Sequence, residues 1–128
     1  MAQVGAWTVG TTFTHSRTNS QPLIEHWNGT NWRLVPGPTP QLSGLMSVAV
    51  VSPDNIWAVG AYNSSSGGAL TLVEHWNGTI WATVTSPSPA NYSYLNSVVA
   101  VSAGHVWAVG VASDGGNGIG KPLIETRC

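Results

Sequence analysis

The stretch LVEHWNGTIW, residues 72–81, places two strand-like runs on either side of Asn77-Gly78, and residues 23–32 carry the same phrase as LIEHWNGTNW. Asn-Gly between strands is the strongest short hairpin signal, because both central residues of a type I′ turn need positive φ and these two tolerate it best. A two-residue turn sets Trp76 opposite Thr79, Glu74 opposite Trp81 and Leu72 opposite Thr83 on one side of the hairpin. Val73, His75, Ile80, Ala82 and Val84 then lie on the other side. The same rule sets Trp27 opposite Thr30 and Glu25 opposite Trp32 in the earlier copy.

The repetition continues outward. WTVG at 7–10 returns as WAVG at 57–60 and again at 107–110, SVAVVS at 47–52 returns as SVVAVS at 97–102, and PGPTP at 36–40 returns as SPSP at 86–89. The phrase of residues 23–32 and 72–81 begins a third time as LIETRC at 123–128. A period of about fifty residues with strand-like content indicates propeller blades, and no segment has the three-to-four-residue apolar spacing of a helix.

One repeat reads as four strands. Ser47 to Ser52 is short, nearly all apolar and β-branched, as expected of an innermost strand buried on both faces. After a turn at 52–55, strand two is IWAVGAY (56–62), a loop covers 63–69, strand three is LTLVEHW (70–76), and strand four is TIWATVT (79–85). The proline-rich 86–91 cannot continue a ladder. The fold class is therefore all-β: about two and a half four-stranded antiparallel β-propeller blades. Residues 1–41 form a partial blade (strands two to four), 42–91 a complete blade, and 92–128 a partial blade (strands one to three). A propeller takes at least about four blades, so the ring is expected to be completed by a homo-oligomer, and an end blade unmatched by a neighbour leaves one face wet.

Composition narrows the partners. Only 7% of residues are charged and the net charge is -1, which gives no basic footprint for nucleic acid. With 42% hydrophobic residues and seven tryptophans the chain has ample material for a core. No apolar run reaches the roughly eighteen residues of a membrane span, and the opening MAQVGAWTVG has neither the positive nor the apolar region of a signal peptide. Cys128, the single cysteine, allows no intrachain disulfide.

WAVG, EHWNGTxW and the PxP pieces resemble the WxVG-type repeats of large bacterial β-propeller proteins, along nearly the whole chain. The GluHisTrpAsnGlyThrAsnTrp hairpin also looks like the Glu, Trp-Asp-Gly and Trp hairpin of fucose-binding propeller lectins, with the spacing one residue different and no arginine in the preceding strand. The first resemblance implies more blades in relatives, some of them secreted or at the cell surface. The second implies sugar binding at the outer hairpins.

Adjacent strand residues point to opposite faces, so neither Glu25-His26 nor Glu74-His75 can chelate one metal or act on one substrate together. The glutamates are expected to be satisfied locally, by an indole or backbone N–H, and the histidines to pack. His15 and His105 have no counterparts in the repeat, and no metal or cofactor is expected. The long loops 11–21, 63–69 and 113–120, with the proline links and Tyr92 and Tyr94, share one end of the blades, where a rigid scaffold concentrates function. The candidate ligand-binding residues are Glu25, Trp27, Trp32, Glu74, Trp76, Trp81, Tyr92 and Tyr94. The expected function is a non-catalytic binding module for neutral glycans, with a structural or protein-interaction scaffold as the alternative.

Overall fold

A computed structural model describes residues 5–13, 19–38, 42–65, 67–114 and 120–127. Its described residues form strands and connections only. The parts of the two outer long loops at 14–18 and 115–119, with His15, and also Cys128, lie outside the described residues.

The strands fall into three groups. β1 (Ala6–Phe13), β2 (Ser20–Trp27) and β3 (Trp32–Leu34) make an antiparallel sheet in that order. β4 (Ser43–Ser52), β5 (Asn55–Asn63), β6 (Ala69–Trp76) and β7 (Trp81–Val84) make the middle group, and β8 (Tyr92–Ser102), β9 (His105–Ser113) and β10 (Lys121–Arg127) the third. The middle and third groups count as one seven-stranded sheet through a single parallel bridge, Ala69 to Tyr92, beside which the Ala69 N–H donates to the Asn91 carbonyl at 3.0 Å. The count of three, four and three strands agrees with the sequence reading.

Alternation decides the core. Ile56, Ala58, Leu72 and Trp81 point to one side of the middle group, where they bury Ile24 of β2 and meet Trp7, Val9 and Val35. Val59 and Val73, on the opposite parity, point to the other side and pack with Leu95, Val98, Val106 and Ala108 of the third group. The middle group is thus covered on both faces, and each outer group on one.

Two expectations are corrected. The Asn-Gly connection is not a two-residue turn: Trp76 pairs with Trp81 and Glu74 with Thr83, and in the first group Trp27 pairs with Trp32 and Glu25 with Leu34. Asn77 Oδ1 accepts from the N–H groups of Thr79 (2.9 Å) and Ile80 (3.0 Å), and only Gly78 takes positive φ, so the side chain caps a four-residue loop; Asn28 does the same. The register slips by two residues, an even number, so the assignment of side chains to faces survives. The second correction concerns the innermost strand. β4 begins earlier, at Ser43, and is not buried on both faces: Met46 and Val50 are exposed, as are Val99 and Val101 of β8. β4 ends its sheet, and the third group has a described neighbour on one face only.

The glycine that closes the WxVG motif has a packing reason. β4 bulges between Leu45 and Ser47, opposite Gly60, and a Cβ on Gly60 would run into the Gly44 carbonyl; Gly110 stands in the same relation to Tyr94. Gly10 has nothing within 4 Å of that point. Gly60→Ala should therefore destabilise by about 2 kcal/mol or more, and Gly10→Ala by under about 0.5 kcal/mol, in urea unfolding of the two variants.

Candidate functional site

The predicted site residues separate into three places. Glu74, Trp76 and Trp81 come together in the seam between the first and middle groups, where Trp7 lies 5.3 Å from Trp76 and 5.5 Å from Trp81 between ring centroids. Trp81 and Glu74 are buried, and Trp76 Nε1 donates to the Pro53 carbonyl at 3.2 Å. Glu25, Trp27 and Trp32 form the equivalent cluster on the far face of the first group, with Trp27 and Trp32 at 5.7 Å and Trp32 exposed. Tyr92 and Tyr94 lie at the start of β8, both exposed.

For Glu74 the seam overturns the expectation of a local partner. No described residue hydrogen-bonds either carboxylate oxygen of Glu74, and Trp81 Nε1 is likewise buried without a partner. Desolvation by burial pushes the Glu74 carboxyl up to about 7, from an ordinary 4.5. Glu125 occupies the same strand position in the third group, and there Ser86 donates its hydroxyl to Oε2 at 2.6 Å. Ser86 is held in turn by Thr71 Oγ1 at 2.7 Å, within the proline link that lies along β6. The residue matching Ser86 in the preceding link is Gly37, whose Cβ position lies 3.8 Å from Glu74 Oε1. Glu74 thus lacks the hydroxyl that meets Glu125 Oε2, while Oε1 of both carboxylates is buried without a partner. Gly37→Ser should restore the contact, raising stability at pH 8 by about 1 kcal/mol, provided Ile24 Cδ1 (3.1 Å) and the Trp81 Cβ (3.3 Å) yield. Urea unfolding of that variant is the check; a loss of stability would mean that crowding outweighs the new bond.

The histidines pack on tryptophans as expected: His26 lies 4.4 Å from Trp7 and His75 4.2 Å from Trp57. Asn55 Oδ1 also meets His75 Nε2 at 2.8 Å and accepts from Trp57 Nε1 at 3.0 Å. Among the described residues, no three of His, Cys, Asp and Glu gather to hold a metal.

A second feature lies where the strands open into the β1–β2 and β5–β6 connections. A cavity of about 370 Å³ takes Phe13, Leu42, Met46 and Tyr94 as its apolar wall and Thr11, Asn63 and Asn96 among its polar groups. None of its lining residues is charged. Its volume suits a small ligand. Leu42 holds φ at 54°, an unusual conformation for a branched side chain, while its carbonyl accepts from the Asn63 N–H at 2.9 Å. Of this wall the sequence reading singled out only Tyr94 and the general location. Phe13, Leu42, Met46 and Asn96 come from three strand groups that only the tertiary fold brings together. A further cavity of about 330 Å³ lies between the middle and third groups beside Trp57, Glu125 and Arg127.

Comparison with protein-family models and with curated proteins returned no match.

Proposed function

We propose that this chain is a non-catalytic binding module built of β-propeller-type blades, which holds a neutral polar ligand, a carbohydrate by chemical class, at the end of the strands that carries the long connections. The observation that supports this reading is the uncharged cavity there. Tyr94 and Phe13 offer aromatic faces to the C–H surface of a sugar ring, while Thr11, Asn63 and Asn96 offer hydroxyl and amide groups to its hydroxyls. No charge in that lining favours an ionic ligand. The resemblance to WxVG repeats supports blades as the description of the three strand groups.

A glycan array probed with the 128-residue chain tests the reading. Binding to neutral glycans is expected, with affinity falling on the order of tenfold in Tyr94→Ala and in Phe13→Ala. An array without hits would remove it. The second reading, a structural or protein-interaction scaffold, is favoured by the fate of Glu74 and Trp81: in the middle group the hairpin side chains proposed for sugar contact are consumed in packing against a neighbour.

A further inference from the structure

We propose that the exposed face of the third strand group is covered by the exposed face of the first group of a second copy of this chain, head to tail, with Trp107 of one copy set against the Trp27–Trp32 pair of the other. This rests on the blade-like stacking in the preceding reading but not on its ligand.

The fold already makes this contact between its own groups. The middle group offers the third a face of Ala49, Val51, Trp57, Val59 and Val73. The third group carries Val99, Val101, Trp107, Val109 and Ile124 at matching positions. The ladders repeat the register: Ala49 pairs with Trp57 as Val99 pairs with Trp107, and Val59 pairs with Val73 as Val109 pairs with Ile124. All five of those third-group residues are large, apolar and exposed, from 42% at Trp107 to 71% at Val101. A contiguous apolar face of this kind marks an interaction surface.

The opposite half of the same contact stands on the first group. In the middle group Ile56 pairs with Trp76 and Trp76 with Trp81, and this face receives Trp7. In the first group Ala6 pairs with Trp27 and Trp27 with Trp32, with Trp27 half-buried and Trp32 exposed. Trp27 and Trp32 are already 5.7 Å apart, as Trp76 and Trp81 are 6.0 Å apart, so the pair that accepts a tryptophan is preformed. Trp107 occupies the motif position of Trp7. A surface bearing one half of an interface at one end and the other half at the opposite end is complementary to its own copy, and such heterologous contacts close into a ring or run on as a chain.

Sedimentation of the 128-residue chain at micromolar concentration, with circular dichroism as the control for folding, tests this. Species of more than one chain are expected, and Trp107→Ala and Trp32→Ala should each weaken association on the order of tenfold or more. Because each variant spoils a different half, an equimolar mixture of the two should form two-chain complexes that neither forms alone. Should Trp107→Ala fail to fold, Ile124→Arg on the same face carries the test, since its side chain is 62% exposed. A monomeric wild type would overturn the proposal, as would association untouched by both substitutions, or lost in one and unchanged in the other. A glycan array result leaves these outcomes unaffected, so the two proposals fail separately.

Discussion

Raising the pH from 4.5 to 7 should lower the folding stability of this protein by roughly 3 kcal/mol, the equivalent of moving the Glu74 carboxyl from its ordinary 4.5 to about 7. Below 4.5 the carboxyl is protonated in both the folded and the unfolded chain, and its contribution is fully present. As the pH rises, the unfolded chain releases its proton first, while the folded chain holds Glu74 neutral between the first and middle strand groups. The contribution is lost progressively through this window and is gone above 7, where a bare carboxylate lies buried. His75 works the other way: burial lowers its pKa, so its contribution is present above its ordinary 6.5 and lost as the pH falls through the folded value. In Glu74→Gln the fall should therefore disappear and the opposing slope of His75 should remain. Urea unfolding of both proteins between pH 4.5 and 8 reads this directly, and coincident profiles would show that Glu74 has a partner in solution.

Trp81→Ala should cost about 3–5 kcal/mol, the range for removing a buried large aromatic side chain. Trp81 is 4% exposed and stacks edge-on with Trp7, and it belongs to the cluster that buries Ile24, Leu45 and Ile56. Trp32 has the same repeat position, the same preceding Asn-Gly loop and the same cross-strand tryptophan, yet it is 47% exposed. At concentrations where the chain is unassociated, Trp32→Ala should cost under about 1 kcal/mol. The contrast isolates the neighbouring group as the source of stability, because the local sequence is nearly held constant. Chemical denaturation of the two variants at one low protein concentration measures it, and equal losses would place the stabilisation within each hairpin instead.

Much of the fold was legible because the period of two along each strand and the period of about fifty between motifs reinforce one another. They gave the three, four and three strands, the turn at 52–55, and the faces on which Glu74, Trp76 and Trp81 lie. The length of the Asn-Gly loop was not legible, since Asn77 can either accept positive φ itself or cap two N–H groups with its side chain, and residue types alone do not choose. The bare state of Glu74 was legible only in part. Its signal is a single glycine, Gly37, at the place where the next link has Ser86, and that difference carries meaning only once the link is known to lie against the glutamate of the following group. Of the uncharged cavity, only Tyr94 and the end of the strands where it lies were legible. Phe13 of β1, Leu42 just before β4 and Met46 of β4 meet Asn96 of β8 only when the groups stack, and no periodic pattern marks them.

The strand groups stabilise one another through their faces. A double-mutant cycle on Trp7 and Trp81, one residue from each side of the first seam, measures that dependence at equilibrium. Ring centroids 5.5 Å apart predict a coupling of about 1 kcal/mol or more. Additive losses, with coupling indistinguishable from zero, would contradict the stacking of the first group on the middle one.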